Sequence, residues 1–246
     1  MTGVFDSGSG GLSVLREIRK TLPLGRYIYY SDNAHCPYGE KSQQYIIDRS
    51  RAITDELLAR GADSIVVACN TATAAAIATL RAEYSVPFVG MEPAIKPAAL
   101  GTRTGVIGVL ATAGTLGSSK YLDMRGLYGS NVRIAEHVGK GFVELVEGLE
   151  LEGPRAEEAV RASLQPLLDE GADIIVLGCT HYPFLLPVMQ KIAPEGVRFI
   201  DPAPAVARRL SDVLVMGGLP LTDPEPGVEL LSSGPDTTLK KLFQLI

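Results

Sequence analysis

The chain has 246 residues, 46% of them hydrophobic and 21% charged, an ordinary globular composition that excludes a disordered or fibrous protein. No apolar run approaches the ~20 residues a membrane span needs. Lys+Arg 23 against Asp+Glu 28, a net charge of −5 without a basic run, leaves no electrostatic footprint for nucleic acid and points to a small-molecule partner.

Residues 3–5 form a short apolar run and are predicted to be the first strand, with a helix over 12–21. The first 20 residues lack the charged start and apolar middle of a signal peptide, so a cytoplasmic protein is expected. Asp6-Ser7-Gly8-Ser9-Gly10-Gly11 has the look of a phosphate-cradling turn. It lacks the Gly-Lys-Ser of the Walker pattern, however, and the third glycine position of the dinucleotide fingerprint is Ser13. Its glycines then serve a close approach of backbone to a small ligand, and Asp6 suits an ammonium group or a protonated thiol.

A second strand is predicted over 27–30. In the loop after it, Asp32-Asn33-Ala34-His35-Cys36 leads into Pro37-Tyr38-Gly39, which offers a phenol hydroxyl and a backbone N–H to a substrate. His35 beside Cys36 supplies only half of a structural zinc site, so no metal is expected there. A helix over 42–60, a strand over 64–68, a helix over 71–84 and strands over 88–90 and 105–110 come next. Residues 142–152 read as an acidic helix that contains Glu147, followed by a helix over 155–170, a strand over 173–177, a helix over 184–192 and a strand over 199–200. The repeating strand–helix order implies parallel sheets covered by helices on both faces, with ligand-binding loops along one sheet edge.

An internal repeat is the most informative feature. Gly61-Ala62-Asp63-Ser64-Ile65-Val66-Val67-Ala68-Cys69-Asn70-Thr71 returns 110 residues on as Gly171-Ala172-Asp173-Ile174-Ile175-Val176-Leu177-Gly178-Cys179-Thr180-His181. A weaker register follows at a shift of 111, with Val86, Phe88 and Val89 answered by Val197, Phe199 and Ile200. Two related α/β lobes are expected, 1–92 with 203–246 carrying Cys69 and 93–202 carrying Cys179, with a small-molecule site in the cleft between them.

In each copy the cysteine ends a buried strand just before the predicted start of a helix, whose partial positive charge favours thiolate over a thiol of ordinary pKa ~8.5. A lone cysteine in such a place is ordinarily a small core residue, but core packing does not require the same placement twice. Two opposed thiols suit removal of a proton from one face of a carbon and return of a proton to the other, which is racemisation. The carboxylate of such a substrate needs directed donors, and Ser7, Asn70, Thr71, Thr180 and His181 follow the strand ends. His181, beside Cys179, is also an acid, a base or an orienting group for the thiol. The residues alone leave open a racemase or isomerase of another dicarboxylate, an amino-acid- or anion-binding protein with both cysteines in its core, and a dithiol redox protein, although neither cysteine has the close partner of redox motifs.

Along most of its length the sequence resembles the glutamate racemases of the aspartate/glutamate racemase family. The resemblance lies in Val4-Phe5-Asp6-Ser7-Gly8-Ser9-Gly10-Gly11-Leu12, Pro37-Tyr38-Gly39, Val67-Ala68-Cys69-Asn70-Thr71-Ala72, Glu92-Pro93 and Leu177-Gly178-Cys179-Thr180-His181-Tyr182-Pro183. It implies two pseudo-symmetric α/β lobes and a cofactor-independent interconversion of L- and D-glutamate that supplies D-glutamate for peptidoglycan, without pyridoxal phosphate or metal. It further implies Cys69 as the thiol that deprotonates the D-enantiomer and Cys179 as the one that deprotonates the L-enantiomer, with Asp6, His181 and Glu147 assisting. Substrate contacts are expected from Asp6, Ser7, Tyr38, Gly39, Asn70, Thr71, Thr112, Thr115, Thr180 and His181. Where the family shows Cys-Pro ahead of Phe-Val-Pro-Leu, this chain has Gly139-Lys140-Gly141-Phe142-Val143-Glu144-Leu145-Val146. The first strand begins within three residues of Met1, so regulation through an N-terminal extension that senses a cell-wall precursor or binds DNA gyrase is not expected. The expected partners are glutamate and a second copy of the chain, as a homodimer, with no nucleic acid and no membrane.

Overall fold

The computed structural model describes residues 1–246. In chain order the strands are β1 (Thr2–Asp6), β2 (Arg26–Ser31), β3 (Ser64–Val67), β4 (Phe88–Gly90), β5 (Val106–Ala111), β6 (Arg133–Val138), β7 (Ile174–Gly178), β8 (Arg198–Ile200) and β9 (Gly227–Ser232). Two compact units divide them: Met1–Met91 with Ala203–Ile246, and Glu92–Pro202. The first unit holds a sheet of order β4-β3-β1-β2-β9 and the second a sheet of order β6-β5-β7-β8. Every strand pair in both is parallel, so the class is α/β with flanking helices.

Burial explains which runs were legible. β1, β3 and β7 are buried along their whole length, as central strands covered by helices on both faces must be, and they accordingly read as continuous apolar runs. The two strands absent from the predicted set are edge strands. β6 carries Arg133, Glu136 and His137 and β9 carries Glu229, charges that suit an edge and erase the apolar signal.

The repeat is visible in the strand register. Ile65 on β3 pairs with Phe88 on β4, and Ile175 on β7 pairs with Phe199 on β8. A deeper equivalence lies between the central strands. Gly3 on β1 pairs with Ile65 and Gly108 on β5 pairs with Ile175. A Cβ on Gly3 would stand 2.8 Å from Ile65 Cδ1 and 3.2 Å from Leu57 Cβ; on Gly108 it would stand 2.6 Å from Ile175 Cδ1 and 3.2 Å from Leu167 Cβ. In both units the glycine lets one helix lie against the middle of the sheet. The helices concerned, Gln43–Ala59 and Pro154–Asp169, are each followed by a glycine in the left-handed region, Gly61 at φ 93° and Gly171 at φ 88°, where a side chain would be strained.

Helix Gln43–Ala59 starts at Ser42, whose hydroxyl accepts the Tyr45 N–H at 3.3 Å. The acidic helix stops earlier than its composition indicates, at Glu147 instead of 152. Gly148 caps it and Leu149 turns the chain at φ 60°. In the first unit the last long helix, Ala203–Met216, packs against Leu12–Thr21 and against β4.

Candidate active site

The thiols stand where ligands meet parallel sheets, beyond the carboxyl ends of the strands. In the first unit Cys69 follows β3 and is the N-cap of helix Asn70–Glu83. Its Sγ accepts the Ala72 N–H at 3.4 Å, and its thiol lies 3.7 Å from Ser7 Oγ as a donor. Asp6, the last residue of the adjacent strand β1, is wholly buried and accepts the Gly11 N–H at 2.8 Å. That bond closes the turn between β1 and the first helix, and Tyr29 holds the same turn by donating its hydroxyl to the Gly8 carbonyl at 2.9 Å. Gly11 admits no side chain, since a Cβ would lie 2.7 Å from Asp6 Cβ and 2.8 Å from the Tyr29 hydroxyl. Gly11 therefore serves close packing within the turn itself. Asn70 and Thr71 open the helix beside Cys69, and both are buried. The Asn70 amide has no hydrogen-bond partner at either its oxygen or its nitrogen, an arrangement that is costly unless a ligand fills it.

Tyr38 and Gly39 lie in a single 3-10 turn, Tyr38–Glu40, after β2. Tyr38 was expected to meet a substrate through its hydroxyl. Its hydroxyl is turned inward and donates to Asp32 Oδ2 at 2.5 Å, and Asp32 in turn accepts Arg49 Nε at 2.9 Å and Nη2 at 2.7 Å. Burial, reinforced by the Asp32 carboxylate and by Cys69, holds the phenol far above its ordinary pKa, so it stays protonated.

In the second unit Cys179 follows β7, but its setting differs from that of Cys69. The expected helix N-terminus is replaced by a turn that runs into a 3-10 helix, Tyr182–Leu185. The cause is one residue. The Cys69 carbonyl accepts the Thr73 N–H at 2.8 Å, whereas the equivalent position after Cys179 is Pro183, which has no N–H. The Cys179 carbonyl accepts the Tyr182 N–H instead, at 3.1 Å.

This turn brings His181 back over the thiol. His181 Nδ1 lies 3.7 Å from Cys179 Sγ and 3.5 Å from Thr180 Oγ1, and Nε2 lies 2.7 Å from Glu147 Oε1. Burial alone would lower the imidazole pKa. The hydrogen bonds and charges of Cys179 and Glu147 outweigh it and hold the pKa well above the ordinary value. Glu147 reaches His181 from the end of helix Phe142–Glu147, and the start of that helix is fixed by Phe142 packed edge-on to Tyr182 at 4.9 Å. Thr112 and Thr115 cap and fill the turn after β5, their hydroxyls 3.0 Å apart. Because Ala111 pairs with Gly178, Thr112 and Cys179 are the next residues on neighbouring strands.

The structure thus gathers Asp6, Ser7, Tyr38, Gly39, Cys69, Asn70 and Thr71 at one sheet edge, and Thr112, Thr115, Glu147, Cys179, Thr180 and His181 at another. Asp32 and Arg49 were missed. Asp32 directly follows β2 as Asp6 ends β1, which was a readable signal, whereas Arg49 lies mid-helix and carried none. None of the three cysteines forms a disulfide. No helix is long and apolar enough to cross a membrane.

A two-unit α/β protein with a buried thiol at each sheet edge is the class that this fold and these residues define, and the chain belongs to the Asp/Glu/Hydantoin racemase family, whose model matches residues 11–210. It is 49% identical over 245 residues to a glutamate racemase of Ectopseudomonas mendocina, covering 99% of this chain and 93% of that protein. Among solved structures it is similar to Escherichia coli glutamate racemase in complex with L-glutamate and the activator UDP-MurNAc-ala, with TM-score 0.89 and 36% identity over 99% of this chain and 94% of the other. It is equally similar to the glutamate racemase isoform RacE1 of Bacillus anthracis, with TM-score 0.89 and 32% identity over 100% of this chain and 92% of the other.

Proposed function

We propose that the chain interconverts L- and D-glutamate by a two-thiol mechanism and supplies D-glutamate for peptidoglycan synthesis in the cytoplasm. The observation that carries this reading is the placement of Cys69 and Cys179 after equivalent strands of a duplicated unit, each thiol buried and hydrogen-bonded to its surroundings. The named activity of the relatives at about half identity supports glutamate as substrate.

In one direction Cys69, as thiolate, takes the α-proton of D-glutamate, and Cys179, as thiol, gives a proton to the opposite face; the other direction reverses these roles. The Ala72 N–H stabilises negative charge on Cys69 Sγ. His181, held in orientation by Glu147, serves the same thiol–proton exchange at Cys179. The Asn70 amide, with both polar atoms unsatisfied, is available to the substrate, and Ser7, Thr71 and Thr180 add hydroxyls near the thiols. Thr112 and Thr115 line the strand end beside Cys179. Asp6 acts through the Gly11 turn that it holds. The exposed side chains of Leu122 and Leu127 on helix Ser119–Tyr128 support self-association as a homodimer, which sedimentation would check.

Incubation of the reduced protein with L-glutamate in deuterium oxide tests the activity. Loss of circular dichroism together with deuterium entry at the α-carbon is expected. Neither signal with L-glutamate, but both with L-aspartate, would replace the substrate. Binding without exchange would overturn catalysis.

A further inference from the structure

We propose that Asp32 and Arg49 are positioning residues for the Tyr38–Gly39 turn: they lock the Tyr38 phenol inward, so that the turn meets substrate with its backbone N–H groups and not with the hydroxyl. This rests on the glutamate racemase reading above.

Asp32 is fully buried and Tyr38 nearly so. The carboxylate is shared three ways. Arg49 grips both oxygens from helix Gln43–Ala59, Tyr38 donates to Oδ2, and His35 Nε2 stands 4.0 Å from Oδ1. A buried carboxylate is stable only when paired, and the two-pronged guanidinium supplies both the charge and the geometry. The bond to Asp32 raises the Arg49 pKa further, so the guanidinium stays charged. Arg49 is placed by the helix: it flanks the buried stripe of Ile46, Ser50 and Ile53, so its stem lies along apolar surface while its head reaches Asp32.

The cluster leaves the phenol committed. The one backbone bond within the turn runs from the Lys41 N–H to the Tyr38 carbonyl, at 3.0 Å. The Tyr38 and Gly39 N–H groups take no part in it, as befits the first residues of a helical turn, and Gly39 is only half-buried. Those N–H groups are directed by the position of the ring, and the ring is directed by Asp32.

A double-mutant cycle tests this, with kcat and KM for both glutamate enantiomers and a melting curve for each variant. Tyr38→Phe and Asp32→Asn, each of which removes or weakens the bond that fixes the ring, are each expected to raise KM about tenfold, as loss of one buried hydrogen bond implies, with kcat little changed. The double variant is expected to be no worse than the poorer single, because Asp32 acts through Tyr38. Arg49→Met should match Asp32→Asn, with part of the affinity restored in Arg49→Lys. If wild type racemises glutamate while folded Tyr38→Phe keeps its KM, or if the two single effects multiply in the double variant, the positioning role is overturned. A wild type inert toward glutamate would overturn the parent reading and this one with it.

Discussion

Cys69 and Cys179 end equivalent strands, yet different neighbours hold them: a helix N–H and a serine hydroxyl for the first, an imidazole for the second. Cys69→Ser and Cys179→Ser should each lower steady racemisation at least about a hundredfold, the usual worth of a positioned acid or base, measured by polarimetry. Near wild-type turnover in either variant would sink the two-thiol scheme. His181 carries a second prediction. It is buried, and its pKa in the folded chain is raised well above the unfolded imidazole value, so its proton favours folding. That contribution is fully present below about pH 6.5 and is lost as pH rises through the raised value. The melting temperature of wild type should therefore exceed that of His181→Gln most at low pH, with the gap narrowing upward, and Glu147→Gln should flatten the trend. A gap independent of pH would contradict it. Most of these side chains were legible in the sequence because they flank strand ends. The inward turn of the Tyr38 hydroxyl was not, since it depends on Arg49, a partner from another element with no local signature.

At the scale of elements, the repeated stretch of Gly61–Thr71 and Gly171–His181 announced that two units share one plan, and the buried central strands were plain from their apolar runs. The charged edges β6 and β9 were not. Nor was the match of Gly3 to Gly108, because the segments between the glycines and the repeated stretch differ in length by several residues. That match makes a prediction. Gly3→Ala and Gly108→Ala should each destabilise by about 1–3 kcal/mol, the range for overpacking a close helix–sheet contact, in urea titrations. A neutral result at either glycine would mean its helix can retreat. Pro183 illustrates the opposite outcome, in which one residue makes the two copies diverge: without its N–H the chain after Cys179 cannot continue as the helix after Cys69 does, and His181 is turned onto the sulfur as a result.

At the scale of the whole molecule, Glu92–Pro202 is one continuous stretch of sequence, inserted between the two segments Met1–Met91 and Ala203–Ile246 that make up the other unit. It has its own four-stranded sheet and its own core of Ile107, Val109, Tyr121, Ile174 and Val176. Expressed alone, 92–202 should unfold in a single cooperative urea transition, whereas 1–91 alone should not. The reason lies in what 1–91 lacks: edge strand β9, paired along the full length of β2, and helix Ala203–Met216, which buries Val206, Leu210 and Leu214 and packs against Leu12–Thr21 and β4.

The same threading sets an order of events on the ribosome. Synthesis at about 5–20 residues per second leaves β1 to β4 waiting on the order of ten seconds for Ala203–Met216 and β9 to emerge. The inner unit, made second, can close first. Leu12, Leu15 and Ile18, among the earliest apolar side chains to appear, are then among the last to be covered, so the nascent chain is most in need of a chaperone at the end it finished long before.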